Sequence, residues 1–273
     1  MKKLMLASAI LLYSTQMQAQ SATTTRLEYQ KKMFEGATIN VTVEKSITED
    51  AIDAIMAKKG SKGKNTSGYR LYKNVPLSTE MMDVYIDVNQ KSKREATTSS
   101  IYMITSKLND PLTNKSESDT AGVAASVAFL NSLAGDILVY KADVDVQKQE
   151  DVVKKTGKKL EALQSDKNTY EKRLSSTKTK LQKNNEDIKT QQDAVLKLSD
   201  TAVIRNSADA LQKQRKKLTS LQEDSDDYAK KITDLESKLK TTNNDISTTQ
   251  NDLQGQRDTL QKLQDVKKKL MTK

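Results

Sequence analysis

Two heptad repeats in the C-terminal half decide the fold: LEALQSDKNTYEKRLSSTKTKLQKNNEDIKTQQDAVLKL (160–198) and LQKQRKKLTSLQEDSDDYAKKITDLESKL (211–239). In each stretch, steps of seven residues from the first leucine meet an apolar side chain with one exception, Lys167 in the first and Ser225 in the second. An apolar residue that recurs once per heptad is typical of the a position of a coiled-coil seam.

The d positions of the same heptads are mixed. Leu163 and Leu198 are apolar, whereas Asn184 and Gln191 are polar. Such a seam is narrow, and we expect a slender helical element. The predicted seam consists of Leu160, Leu163, Tyr170, Leu174, Leu181, Ile188, Val195, Leu198, Leu211, Leu218, Leu221, Tyr228, Ile232, Leu235, Leu239, Ile246, Leu253 and Leu260.

The two repeats do not share one register, because the next a position of the first series, Ala202, lies nine residues rather than seven before Leu211. We expect a turn within residues 199–207, which contain good helix N-caps for the second arm. Val203 and Ile204 would then lie at the tip, where two apolar residues are a possible contact for a partner.

A turn at this place folds residues 146–273 into an antiparallel coiled-coil hairpin. The hairpin sets Asn184 against Ser225 and Leu181 against Tyr228. The alternative is one continuous helix that dimerises in parallel, with a stutter between the repeats. A homo-oligomer is compatible with both arrangements.

The two arms also resemble each other. LQSDKNTYEKRL (163–174) aligns with LQEDSDDYAKKI (221–232) at an offset of 58 residues, which continues through the following heptads. This pattern indicates an internal repeat, and it carries no information about activity.

The composition excludes most catalytic chemistry. The chain of 273 residues has no Cys and no His, so it has no thiolate nucleophile, no His-based triad and no Cys or His metal site. We therefore expect a protein that is not an enzyme and has no cofactor. Hydrophobic residues make up 35% of the chain, which fits a small head and an elongated helical element better than one large core.

The formal net charge is +10, and the basic residues are spread among many carboxylates. Solvated helix surfaces with i,i+4 ion pairs explain this pattern, and attraction to an anionic surface is the functional alternative. We expect no nucleic-acid partner, because the chain shows no known binding motif and no aromatic residues interleaved with its basic ones.

The N-terminus predicts a secretory signal peptide over residues 1–20. Two lysines precede LMLASAILLY (4–13), and QAQ (18–20) follows a short polar stretch. The apolar run is too short to span a bilayer. The expected location of the mature protein is therefore periplasmic or extracellular.

Residues 21–35 are interpreted as a polar leader, with one strand suggested near Arg26–Tyr29, and residues 36–118 as a small α+β head. Alternation of apolar and polar residues predicts strands near residues 39–43, 69–75, 82–88 and 100–105. A short helix is expected from a capping box at Ser46–Glu49. The expected fold class is an α+β head with a long C-terminal antiparallel coiled-coil hairpin, predominantly α.

The segment AGVAASVAFLNSLAGDILVY (121–140) is apolar over twenty residues. Asn131 and Asp136 are costly in a bilayer, which favours a head helix over a membrane span, the alternative. A stripe of apolar residues would cover the sheet: Val123, Val127, Leu130, Ala134 and Ile137. We expect this helix, within residues 119–145, to join the head to the first arm.

The loop KKGSKGKNTSG (58–68) concentrates basic residues and glycines. It is not a Walker loop, because it follows a helix and precedes a strand. A mobile, solvated loop is the simple interpretation. The functional alternative is a weak anion patch formed by Lys58, Lys59, Lys62, Lys64 and Arg70.

The strand motif MDVYIDV (82–88), the strand at 101–107 and the elements Asn185–Ile188 and Asn243–Ile246 resemble those of a family of secreted, periplasmic proteins of Gram-negative bacteria. The resemblance implies a small α+β head followed by coiled-coil arms. No activity is assigned to that family.

Two functional hypotheses follow from the sequence. The first is a non-catalytic exported envelope protein that acts as a coiled-coil spacer, scaffold or adaptor for a protein partner of the envelope. The alternative is a periplasmic chaperone of the holdase type with basic coiled-coil arms.

Overall fold

The computed structural model describes residues 21–77, 79–90, 96–108, 112, 120–201 and 208–272, and the predicted signal peptide lies outside them. These residues form six strands and three helices. The strands are β1 (Thr23–Tyr29), β2 (Lys32–Val41), β3 (Lys64–Thr66), β4 (Tyr69–Leu77), β5 (Glu80–Gln90) and β6 (Ser99–Lys107). The helices are α1 (Lys45–Lys58), α2 (Thr120–Thr201) and α3 (Ala208–Met271).

The strands form one sheet in the order β1-β2-β6-β5-β4-β3, and every neighbouring pair is antiparallel. A six-stranded antiparallel sheet and a long helix agree with the predicted α+β class and its high helix content. The four predicted strands correspond to parts of β2, β4, β5 and β6. β1 agrees with the strand suggested near Arg26–Tyr29, whereas β3 was not predicted. These two strands are the edges of the sheet.

The interpretation of residues 21–35 as a polar leader is wrong, because they contain β1 and the start of β2. Leu27 and Tyr29 are buried and alternate with more exposed neighbours, so β1 has one buried face. Phe34 in β2 pairs with Leu27 and is buried beside it. These three side chains supply apolar burial that a leader would lack.

Pro76 lies within β4, opposite Met81 of β5. β3 pairs only with the first three residues of β4, Tyr69 to Leu71. The outer edge of β4 beside Pro76 therefore requires no N–H donor, and a proline is tolerated there.

Helix α1 begins one residue earlier than the predicted capping box. It starts at Lys45 with Glu44 as the N-cap, and no side chain caps it. Thr48 instead points into the protein, where its hydroxyl lies within hydrogen-bonding distance of the Val43 carbonyl and the Ser99 hydroxyl. The expected capping box is therefore wrong, because the N-cap is Glu44 rather than Ser46. Thr48, inside the expected box, contacts Ser99 of β6 instead.

One face of the sheet carries the main core, which α1 and the first part of α2 cover. Ala51, Ile52 and Met56 of α1 are buried against the sheet. The predicted stripe of α2 is confirmed, since all five of its residues are buried or half-buried, and Leu133 joins it. Asn131 of α2 accepts a hydrogen bond from the backbone N–H of Ala22, at 2.8 Å.

Helix α2 is continuous from Thr120 to Thr201, so the expectation that the head helix continues into the first arm is confirmed. Among the described residues, one helical segment is long and apolar enough to cross a membrane, judged by length and composition alone. It is Gly122–Ser199, which belongs to α2. Its most apolar window of 18 residues has a mean hydropathy of 1.6, and 39% of that window is buried in the protein.

The chain divides into a sheet unit, which contains the described residues up to Glu150 and from Asp258, and a helical unit, Asp151–Arg257. Every predicted seam residue is buried or half-buried, whereas most of their neighbours are exposed. Leu235 and Leu253 are the apolar seam residues with the least exposure. The polar d residues Asn184 and Gln191 are buried at least as deeply, with 7% and 5% exposure.

Candidate binding surfaces

A groove of about 400 Å³ lies between α1 and the strands β4 and β5. Helix α1 places Glu49 at the groove, one turn before the buried Ile52. Strand β4 contributes Arg70 and Tyr72, which share one face because side chains alternate along a strand. The remaining lining residues are Lys45, Asn65, Gly68, Tyr69, Ile86, Asp87 and Val88.

The carboxylate of Asp53 contacts two residues that line this groove, Tyr72 and Arg70. The Tyr72 hydroxyl donates a hydrogen bond to one oxygen of Asp53 at 2.6 Å, and the Arg70 guanidinium lies 2.5 Å from the other. Both partners come from β4, so the contacts join α1 to the sheet.

Two tyrosines of the groove have raised pKa values. Burial raises the pKa of Tyr72 well above its ordinary value, and the hydrogen bond to Asp53 adds to the effect. Burial, followed by the negative charge of Asp87, raises the pKa of Tyr69 to about 12. Both phenols therefore stay protonated at neutral pH.

The residues of the suggested anion patch lie on several elements, and their binding of an anion stays a prediction. Arg70 is paired with Asp53, and the ammonium group of Lys59 lies 5.8 Å from the ring centre of Phe129 on α2. Lys58 ends α1 and Lys64 begins β3, so the basic residues are divided among several elements. Lys58, Lys59, Lys62 and Lys64 are all exposed.

The loop is also more firmly attached than the simple interpretation assumed. Ser61 is buried, and its hydroxyl donates a hydrogen bond of 2.7 Å to the carbonyl of Lys73 in β4. A Cβ at Gly63 would come within 3 Å of Arg70 and Tyr72, so this position requires glycine for close packing. The interpretation as a mobile, solvated loop is therefore wrong for its middle part.

The second face of the sheet holds an aromatic cluster that sequence reasoning missed. Tyr29 of β1 meets Tyr69 of β4 and Tyr85 of β5 in edge-to-face contacts, with ring centres 5.7 and 5.2 Å apart. Phe34 and Ile104 complete the buried part of this face. The available signal was the strict alternation in β5, which places Tyr85 opposite the main core.

In the helical unit, side chains of α2 contact α3 through specific polar groups. The Asn184 side chain donates to the Leu221 carbonyl at 2.7 Å, and the Gln191 side chain donates to the Gln214 carbonyl at 3.1 Å. Lys178 and Glu236 form an ion pair at 2.8 Å. The hydroxyl of Ser225 donates to Asn185 at 3.1 Å, so the predicted partner Asn184 is replaced by the next residue.

Two sequence-based predictions stay untested. Val203 and Ile204, the proposed tip contact, lie outside the described residues, as does most of the expected turn.

Within the part of the chain that the structure describes, no three acidic side chains come together as a metal site would require.

Comparisons with protein-family models, with curated proteins and with solved structures found no match for this chain.

Proposed function

We propose that this protein is a non-catalytic, exported envelope protein that serves as a coiled-coil spacer, scaffold or adaptor for a protein partner. Its helices α2 and α3 would pair as an antiparallel hairpin. The observation that carries the proposal is the set of polar contacts by which α2 recognises α3 in one register.

The direction of these contacts supports antiparallel pairing. From Asn184 to Gln191 the chain of α2 advances by seven residues, and the partner on α3 moves back by seven, from Leu221 to Gln214. A seven-residue repeat keeps both contacts on the same side of the seam. Buried polar residues at seam positions lower stability but select a single register.

A scaffold requires a helical element whose length and register are defined, and both are present here. Helix α2 runs through both units without a break, so the sheet unit and the helical unit share one continuous element. The residues with the most constrained chemistry, Asp53 and Tyr72, join α1 to the sheet. Their use in holding the fold together supports a binding role for the protein rather than a reaction.

Cysteines at Leu181 and Tyr228 test the pairing, because the native chain has no Cys. We expect a crosslink within one chain at high dilution. Spin labels at Leu163 and Ile246 measure the same arrangement. In a hairpin they are close neighbours, whereas a continuous helix separates them by about 120 Å at its normal rise. Crosslinks that form only between chains, with the long distance, would exclude the hairpin.

Two assays test the biological role of the mature protein. For a scaffold, we expect a defined envelope protein to be captured by the wild-type chain and lost when Leu235→Asp disrupts the helix seam. The holdase alternative predicts instead that the chain prevents light scattering by an unfolded outer-membrane protein in proportion to its concentration. Suppressed scattering together with no defined partner would replace the scaffold with the holdase.

A further inference from the structure

A cluster of like charges flanks the contact between α2 and α3 in the helical unit. It surrounds a shallow depression of about 480 Å³. Five cationic side chains and one carboxylate line the depression, together with two hydroxyl groups and one leucine. They are Lys172, Arg173, Lys180, Lys231 and Lys238, then Asp234, then Ser176 and Thr177, and Leu235.

The heptad positions explain why this cluster is unusual. Arg173 and Lys180 each precede an a residue of α2, and Lys231 and Lys238 each precede an a residue of α3. All four occupy g positions, where helices of a coiled coil commonly place opposite charges. The opposite flank follows that rule, because Lys178 and Glu236 occupy e positions and form an ion pair.

Most of this positive charge has no negative partner. Lys238 pairs with Asp234 at 2.7 Å, and Lys231 lies 5.7 Å from the ring centre of Tyr228. Lys172, Arg173 and Lys180 have no ion pair among the described residues. Arg173 is near enough to Lys238 to oppose the rise in pKa that Asp234 causes there.

The floor of the depression has space because of a short d residue. Thr177 occupies a d position, and its hydroxyl donates to the Arg173 carbonyl at 2.8 Å rather than across the seam. Leu235 of α3, which is 9% exposed, forms the apolar part of the floor. A longer residue at position 177 would fill the space between the two rows of cations.

We infer that this depression binds a multivalent anion that carries phosphate groups. A phosphate anion offers several acceptor oxygens to the fork of Arg173 and to the ammonium groups around it. It would also remove the repulsion between the two g rows, so binding and helix pairing support each other. The inference requires the pairing of α2 with α3, and it does not depend on the scaffold role.

The first test is calorimetric titration of the full chain with tripolyphosphate at low ionic strength. The site variant is Lys172→Gln, Arg173→Gln, Lys180→Gln and Lys231→Gln together. The matched control removes four exposed charges of the same unit: Lys158→Gln, Lys159→Gln, Lys216→Gln and Lys217→Gln.

We expect the wild type and the control to bind similarly and the site variant to bind at least about tenfold more weakly, because charge-assisted contacts are lost. Equal weakening in both variants would show attraction by net charge alone and would overturn the inference. No binding by the wild type would do the same.

A second measurement uses only the wild type, in case the site variant folds poorly. Tripolyphosphate should protect Lys172, Lys180 and Lys231 from acetylation, as read by mass spectrometry, and should leave Lys158 and Lys216 reactive. Equal reactivity of all five lysines with and without tripolyphosphate would overturn the inference.

Vesicles identify the source of the phosphate. If the wild type co-sediments with phosphatidylglycerol vesicles but not with phosphatidylcholine vesicles, and the site variant co-sediments with neither, the ligand is a lipid headgroup. Binding to tripolyphosphate without vesicle binding assigns a soluble phosphate. Both outcomes support the site and differ only in its ligand.

Discussion

The side chain of Gln30 donates a hydrogen bond of 3.0 Å to the hydroxyl of Ser67, although the two residues belong to turns at opposite edges of the sheet. Gln30 lies in the turn between β1 and β2, and Ser67 lies in the turn between β3 and β4. The neighbouring Tyr29 and Thr66 hydroxyls are 3.4 Å apart. The sheet therefore curls until its two edge hairpins meet, which encloses the aromatic cluster.

The first prediction concerns the turn at Gln30 and Lys31. Lys31 has a φ of 62°, which is strained for a residue with a Cβ. Replacing Lys31 with Gly should raise the free energy of unfolding by about 1 kcal/mol. Urea denaturation measures the change. Lys73→Gly, at a strand position whose own φ is not positive, should lower stability. A similar effect of both changes on stability would contradict the strain assigned to Lys31.

The second prediction concerns two glycines with different surroundings. A Cβ at Gly63 would lie 2.9 Å from Tyr72 and would displace Arg70. Gly63→Ala should therefore destabilise the sheet unit by about 1–3 kcal/mol, as overpacking does. Gly157 lies inside α2 with no atom within 4 Å of its added Cβ. Gly157→Ala should stabilise the helix by about 0.5–1 kcal/mol.

Thermal melting of both glycine variants checks this pair. The two changes should move the transition in opposite directions. A Gly63→Ala protein as stable as the wild type would show that Arg70 can move without cost.

The third prediction is a loss of stability at high pH. The pKa of Tyr69 rises from 10.0 to about 12 on folding. The folded state then holds a proton that the unfolded state releases, so its stabilising effect is complete below pH 10 and disappears as the pH rises toward 12. Between pH 9 and pH 11, the wild type should lose more stability in urea than Tyr69→Phe does.

Tyr140→Phe is the control for that experiment, and it should follow the wild type. Lysine titration affects all three proteins in the same way and cancels in the comparison. An equal loss in Tyr69→Phe and in the wild type would show that Tyr69 is not the group responsible.

The fourth prediction concerns the polar seam of the helical unit. Asn184→Leu together with Gln191→Leu removes two buried amides from the seam and should raise the free energy of unfolding, because polar residues at seam positions cost stability. The same change should broaden the spin-label distance distribution between Leu163 and Ile246, because the register is no longer selected. A narrow, unchanged distance distribution would show that residues other than Asn184 and Gln191 select the register.

The sequence predicted elements with strong periodicity best. The alternation of β5 and the apolar stripe of α2 are local patterns, and both agree with the structure. Strands near Arg26–Tyr29 and residues 39–43 were expected, but the hairpin that joins β1 to β2 was not. Its turn, Gln30 and Lys31, lacks the Asn or Gly that normally marks a two-residue turn. Tertiary contacts stabilise that turn, and a local pattern cannot show them.

The candidate sites were predicted less well than the elements. The basic loop was identified from residue type, but Arg70 is paired with Asp53, which lies in a different element. The basic depression was not predicted, because it requires two rows of g residues that are far apart in the chain. Heptad positions identify the g residues of each helix separately, and only the pairing of α2 with α3 brings the two sets close together.

By itself, the sequence determined which residues of the strongly periodic elements face inward, because burial of apolar side chains imposes a period of two on strands and seven on paired helices. It also determined the chemistry that is excluded, since a chain without Cys and His cannot supply those groups. Only the tertiary structure decided which edges meet and which charges gather. Those features depend on contacts between distant residues such as Gln30 and Ser67, whose energies are set by three-dimensional proximity.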